Sequence, residues 1–354
     1  MNAVAFVLTL VVTVVFMFAL RPVASAVGLV DVPGGRKRHG VPVPLIGGVC
    51  MSIGLGFGTT LVEHPEFWNP SILGIYLLVV VGTVDDRFDL PPNVRLIAQS
   101  CAAMLVVFAS GIRIASLGAP LFFDLPLGIL SVPFTLLFII TLINAFNLTD
   151  GIDGLAGGLA LLSLIAMGIV GINTDVFGLI VLLIAVVLAF LLFNFPLRFV
   201  QPVRTFMGDA GSTFLGLAIA SIGVWLSQGA EPKIAPVVGL WLVAVPVFDL
   251  FSTIIRRRVE GKSPFAPDHG HLHHVLVDCG LSRRATLAWM LMLAGVCVAI
   301  GVLGDRFEVP DGMMLIGWFV AGAAYYQMLR NPKVIVALLD GLRAAVNRVK
   351  SGAV

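Results

Sequence analysis

ILGIYLLVVVGTVDDRFD, residues 72–89, is an apolar run that ends abruptly in carboxylates at Asp85, Asp86 and Asp89. Nothing between Ile72 and Val84 carries a charge. A carboxylate beside hydrocarbon costs several kcal/mol unless it is paired, cation-bound or in a wet cavity. The same juxtaposition recurs with Asp150 and Asp153 in NLTDGIDG (147–154) and with Asp209 in FMGDAGS (206–212). Five aspartates thus stand at the ends of apolar stretches, and their meaning depends on which side of a bilayer each end faces.

The 354 residues are 58% hydrophobic and only 12% charged, with a mean hydropathy of +1.03. Soluble domains carry roughly 25% charged residues, so the composition is that of an all-α polytopic membrane protein. A net charge of +2 gives no basis for binding nucleic acid. The four cysteines show no CxxC spacing, and three lie in apolar runs, as reduced thiols that pack like small hydrophobes. The first twenty residues lack a cationic start and read as a retained first helix.

Apolar stretches near the ~20 residues that a spanning helix needs fall at 2–20, 44–62, 69–84, 94–111, 128–146, 154–172, 176–195, 211–228, 235–255, 285–304 and 312–329. Eleven spans place the termini on opposite sides. With the N-terminus in the periplasm and the C-terminus in the cytoplasm, 19 of the 22 Lys and Arg residues fall inside. The positive-inside rule selects that orientation, and all five aspartates then face the cytoplasm. The third span, residues 69–84, measures about 24 Å at 1.5 Å per residue against a hydrocarbon core of ~30 Å. Asp85 is therefore expected below the headgroup level in a cytosolic cleft. Residues 112–125 predict a short periplasmic β-hairpin turning around Gly118. Residues 1–331 read as one transmembrane domain. Residues 332–354 read as a basic amphipathic tail lying in the interface.

Adjacent Asp85 and Asp86 cannot face the same way on a helix. One can take a proton or hold a metal while the other orients a base or binds a neighbouring cation. Asp89 either shares the face of Asp86 or caps the next segment. Asn147, Asp150 and Asp153 recur every three residues, which on a helical turn stacks an amide and two carboxylates in one column. Asp209, between glycines at a helix start, can hold Mg²⁺ while first-turn amides hold phosphate oxygens, or can be a plain N-cap. His271, His273 and His274 have spacing reminiscent of zinc ligands. No cysteine cluster accompanies them, and hard carboxylates elsewhere suit Mg²⁺ or Mn²⁺ better, so donation to phosphate or sugar oxygens is expected of them. Lys37 and Arg38, in RKRHGVPVPLIGG (36–48), stand where an anionic lipid headgroup arrives. Metal-holding carboxylates together with Arg, Lys and His fit phosphoryl transfer at a membrane surface, which is mostly positioning and charge neutralisation.

Taken in order, RKRHGVPVPLIGG, DDRFD, NAFNLTDGIDGLAGG, FMGDAGS and SPFAPDHGHLHH resemble the polyprenyl-phosphate N-acetylhexosamine-1-phosphate transferases over almost the whole chain, eleven-span layout included. The resemblance implies an enzyme in which undecaprenyl phosphate attacks the β-phosphorus of UDP-GlcNAc. UMP leaves, and undecaprenyl-diphosphate-GlcNAc remains in the inner leaflet of a bacterial plasma membrane to start a surface polysaccharide such as O-antigen. It implies Asp209 as the principal Mg²⁺ ligand with Asn147 nearby, and Asp85 as base or orienting group for the lipid phosphate, assisted by Asp86. Asp150 and Asp153 would shape the nucleotide site, Asp153 and Phe206 contacting uracil. The three histidines would meet diphosphate or sugar, Lys37 and Arg38 the lipid phosphate, and tunicamycin would inhibit. His269-Gly270 departs from the basic-then-polar pair usual before HxHH, which puts the sugar contacts in doubt. Two alternatives differ in donor or in class. One is the same reaction with another UDP-N-acetylhexosamine or UDP-MurNAc-pentapeptide. The other is an ion-coupled transporter, disfavoured because the carboxylates lie at span ends and no inverted repeat is apparent. A small-residue face at Gly54–Gly58 permits helix pairing in a homodimer.

Overall fold

The computed structural model of the chain describes residues 2–32, 42–121, 123–196, 204–229, 231–263, 270–331 and Ala337. Lipid offers backbone N–H and C=O groups no partners, so the apolar stretches resolve into helices that satisfy themselves. They are α1 (Asn2–Val27), α2 (Gly47–Thr59), α3 (Trp68–Phe88), α4 (Pro92–Met104, prolonged by a π-helical turn Leu105–Ala109) and α5 (Ser131–Thr149, entered through a 3₁₀ turn). After them come α6 (Leu155–Val170), α7 (Phe177–Asn194), α8 (Gly208–Gln228), α9 (Pro236–Leu242), α10 (Ala244–Val259), α11 (Leu272–Asp278), α12 (Arg283–Arg306) and α13 (Asp311–Arg330).

Every one of the eleven expected stretches contains helix. Among the described residues, seven helical segments are long and apolar enough to cross a membrane, and the bent pair α9–α10 makes an eighth. α2 and α6 are shorter apolar helices of 13 and 16 residues. The stretch expected as one helix at 235–255 is two, inclined by 82° at Val243. Pro246 explains the break, because it has no N–H for the carbonyl of Leu242. That carbonyl instead accepts from Ser163 Oγ at 2.7 Å, and the Leu240 carbonyl accepts from Trp318 Nε1 at 3.2 Å.

α8 forms the centre of the bundle, buried on nearly all sides and packed against α2, α3, α5 and α6. Close backbone approach makes this possible. A Cβ on Gly48 would lie 2.2 Å from the Gly211 nitrogen, and one on Gly216 would lie 2.5 Å from the Ile143 Cα. Because α3 and α5 arrive where α8 departs, Asp85, Asp86, Asn147 and Asp209 share one end of the bundle.

A two-stranded antiparallel ribbon, β1 (Val30–Asp31) and β2 (Val43–Pro44), was not foreseen from the sequence. Phe206 N–H donates to the Pro44 carbonyl at 2.9 Å, and Gly47 N–H returns a bond to the Phe206 carbonyl at 3.0 Å. FMGDAGS is thereby stitched to VPLIGG. The expected hairpin is present as an antiparallel pairing of 115–118 with 125–127, bridged at Ser116 and Pro126. Gly118, at a φ of +75°, starts its loop rather than centring it. The small-residue face at Gly54–Gly58 is filled from within the chain. A Cβ on Gly54 or Gly58 would meet Thr13 or Thr9 of α1, so this face is unavailable to a second copy. The tail from 332 lies outside the described residues, Ala337 excepted.

Candidate active site

Asp85 and Asp86 occupy the last turn of α3 and diverge, as neighbours on a helix must. Asp85 is buried; its Oδ1 accepts from Leu90 N–H at 2.7 Å and its Oδ2 from Arg95 Nη1 at 3.2 Å. Asp86 turns to α8, where its carboxylate accepts the amides of Asp209 at 2.8 Å and Ala210 at 3.5 Å. Those amides were expected to be open to phosphate oxygens. Here Asp86 takes them, because a carboxylate satisfies orphan donors and complements the positive end of the helix. Asp89 ends α3 in the left-handed region at a φ of 53°, exposed and off the face of Asp86.

Asp209 is inside the first turn of α8 and does not cap it. Its Oδ1 accepts from Asn147 Nδ2 at 2.7 Å, and its Oδ2 faces Arg95 Nη1 at 3.5 Å. Asn147 Nδ2 also contacts Ser212 Oγ at 3.0 Å. Arg95, on α4, therefore bridges the carboxylates of Asp85 and Asp209. In the sequence it counts only as one more positive-inside residue.

The expected column of Asn147, Asp150 and Asp153 does not form. α5 ends at Thr149, Asp150 leaves helical geometry at a ψ of 50°, and Gly154 adopts a φ of +82°. Such glycines permit a turn that no helix could continue through. Asp150 stays near Asp86 and Asp209; burial and then the charges of Asp209 and Asp153 push its carboxyl up to about 7. Asp153 instead pairs with Arg204. Asn194 holds this turn in place, accepting from Gly154 N–H at 2.6 Å and donating to the Thr205 carbonyl at 3.0 Å.

The histidine segment packs over the same turn. A Cβ on Gly151 would lie 2.0 Å from His273 Nε2. His273 is wholly buried, neither ring nitrogen has a hydrogen-bond partner among the described residues, and burial pushes its pKa down to about 3. His271 is also buried, with Nδ1 2.6 Å from Asp249 Oδ2, whereas His274 is half-buried with its ring 4.2 Å from that of His273. Gly270, half of the unusual pair before HxHH, gives room to Arg256, whose Nη2 would be 1.9 Å from a Cβ there. A guanidinium from α10 thus lies against that position. Lys37, Arg38 and His269 lie outside the described residues.

Among the described residues no three His, Cys, Asp or Glu side chains form a ready metal cage. The oxygens of Asp85 and Asp209, gathered around a guanidinium, nevertheless form a hard anionic pair. Magnesium is commonly bound by one or two carboxylates plus phosphate oxygens and water, so this donor set fits it.

Residues 69–227 match glycosyl transferase family 4. The chain is 34% identical over 342 residues to the undecaprenyl-phosphate alpha-N-acetylglucosaminyl 1-phosphate transferase of Yersinia pestis, covering 94% of this chain and 93% of the relative. It is 32% identical to that of Escherichia coli strain K12, covering 96% and 94%. For that of Haemophilus influenzae the identity is 34%, covering 94% and 96%. The chain belongs to this transferase family.

For a member of the family, two further groups at this end of the bundle matter that were not singled out from the sequence. Asp249 carries the same signal as the five chosen aspartates, a carboxylate in an apolar run (AVPVFDLF, 244–251). It lies mid-run rather than beside a loop, where span ends alone do not point to it. Arg95 has no local signal, because only the packing of α4 against α3 and α5 brings it to the carboxylates.

Proposed function

We propose that the protein transfers N-acetylglucosamine 1-phosphate from UDP-N-acetylglucosamine to undecaprenyl phosphate. A lipid-phosphate oxygen forms a bond to the β-phosphorus, the bond from that phosphorus to the oxygen bridging to UMP breaks, and UMP carries away the electron pair. The sugar–phosphate bond is untouched. The observation that carries this reading is the gathering of Asp85, Asp86, Asn147 and Asp209 with Arg95 at one end of the bundle, in a chain whose relatives are named for this transfer.

Two anionic reactants repel, and the site answers with cations. Asp209, with Asn147 beside it and Asp85 across from it, would hold Mg²⁺ or Mn²⁺, which when bound neutralises charge developing on the diphosphate. Arg95, already between the two carboxylates, supplies a fixed positive charge to phosphate oxygens. Asp85 orients the lipid phosphate. That phosphate is already ionised near pH 7, so direct attack needs no prior covalent step on an aspartate. Asp86 holds the start of α8, and so Asp209, in register. Asp150 and Asp153, the latter set by Arg204, shape the nucleotide side with Phe206, and the histidine segment closes over the donor.

In this reading the chain crosses a bacterial plasma membrane eleven times, α3 and the short helices α2 and α6 included, with the N-terminus periplasmic and the site facing the cytoplasm. Lys37 and Arg38 meet the lipid phosphate there. The product starts a surface polysaccharide, and tunicamycin inhibits its formation. Incubating purified protein with UDP-N-acetylglucosamine, undecaprenyl phosphate and Mg²⁺ should give UMP and the lipid-linked diphosphosugar by mass spectrometry. Product only from another UDP-sugar would redirect the donor assignment. No product from any would overturn the function.

A further inference from the structure

Asp249 is fully buried in the apolar body of α10, where a carboxylate is costly unless every oxygen is satisfied. It is satisfied three times over. Its Oδ1 accepts from Tyr325 O–H of α13 at 2.8 Å and from Leu272 N–H at 3.0 Å, and its Oδ2 accepts from His271 Nδ1–H at 2.6 Å. Thr253 Oγ1 lies 3.3 Å from the same ring nitrogen. Two of the three bonds go to the histidine segment, at His271 and at the residue after it. A bundle that needed only packing here would be served by an apolar side chain.

We infer that Asp249, held by Tyr325, is a positioning residue that fixes the ring orientation and tautomer of His271 for the donor substrate. The inference rests on the transferase reading above. With the Nδ1 proton committed to the carboxylate, Nε2 is the ring nitrogen left to meet the nucleotide sugar. It accepts from a sugar hydroxyl when the ring is neutral and donates to a phosphate oxygen when it carries a second proton. Carboxylates that orient a metal-bound imidazole through its other ring nitrogen contribute ~10–100-fold to their site, and the same order is expected for this clamp. The rings of His271 and His273 are parallel within 5° at 5.8 Å, so a clamp on the first ring also sets the layer in which the second lies.

A double-mutant cycle on the purified full-length chain tests this, with UMP release as readout and melting curves run in parallel. Asp249→Asn keeps the volume but offers an amide N–H to Nδ1, which moves the imidazole proton to Nε2. Turnover should fall ~10–100-fold, His271→Ala should lose at least as much, and the double variant should be no worse than His271→Ala within about threefold. A structural role alone would multiply the two losses. If Asp249→Asn shows no cooperative melting, Tyr325→Phe takes its place in the cycle. It should cost roughly three- to tenfold, an effect that disappears in the His271→Ala background. Wild-type turnover in these variants, or losses that multiply, overturn the clamp alone. A wild-type chain that releases no UMP overturns the transferase reading and the clamp with it.

Discussion

The carboxylate of Asp86 accepts the backbone amide of Asp209 at 2.8 Å, so the last turn of α3 caps the first turn of α8. Two motifs 123 residues apart thereby share one structural element. One aspartate serves as a cap, while the carboxylate of the other faces Asn147 and Arg95. Gly208 makes this possible. It has a φ of +70°, and a Cβ there would lie 2.2 Å from Asp86 Oδ2.

Capping and chemistry separate experimentally at Asp86. Asp86→Ala should lower stability by about 1–2 kcal/mol, the usual worth of a lost cap, and cut UMP release sharply. Asp86→Asn, which still presents an acceptor oxygen, should keep most of the stability. Thermal melting in detergent checks this, and equal melting points for Asp86→Ala and wild type would remove the capping role.

Asp209→Asn should reduce UMP release by roughly 10²–10³-fold or more, as expected when a preorganised charge at the reacting phosphate is lost, while the melting curve stays cooperative. EDTA should stop the wild-type reaction, and Mg²⁺ or Mn²⁺ should restore it. Near-normal turnover of Asp209→Asn in Mg²⁺ would take this carboxylate out of the metal site. Asp85→Asn should lower turnover more than donor affinity.

Gly48→Ala should destabilise the bundle by about 1–3 kcal/mol or prevent folding, because the new methyl meets backbone atoms of Gly211 that cannot swing aside. Gly295→Ala, in α12 with open space around its Cβ position, should leave stability unchanged or raise it by up to about 1 kcal/mol. Melting temperatures of the pair decide, and similar values for the two would show that the α2–α8 approach is looser than described.

The buried His273 sets a pH dependence whose sign comes from its depressed pKa of about 3. In the unfolded chain a histidine binds a proton below about 6.5, whereas folded His273 remains neutral until about 3. Stability from this group is therefore present above pH 6.5 and falls as pH drops, by about 2 kcal/mol between pH 7 and pH 5. His273→Leu should flatten the stability profile over that window. An unchanged slope would mean that His273 is not held neutral.

Much of the fold was legible because its causes are local. Continuous apolar runs with abrupt polar ends, as from Ile72 to Asp86, can satisfy their backbones in lipid only as helices, and each of the eleven runs contains one. The unequal division of Asp85 and Asp86 was likewise evident from helix geometry. The break at Val243 is not legible from Pro246 alone, since a proline in the middle of a long apolar run is equally at home in a kinked span.

What sequence alone determined, then, was the helical membrane class, the family, and the acidic motifs with their residue types. Tertiary structure decided how the work is divided among them. It turned Asp86 into a cap, set Asn147 on Asp209, drew Arg95 between Asp85 and Asp209, tied Asp153 to Arg204 and placed Asp249 behind His271. The physical reason is one of range. Hydropathy and turn chemistry act over a few residues, but a carboxylate's role depends on which donors stand within about 3 Å of it. The packing of helices around α8 brings one such donor, the Asp209 amide, to Asp86 from 123 residues away along the chain.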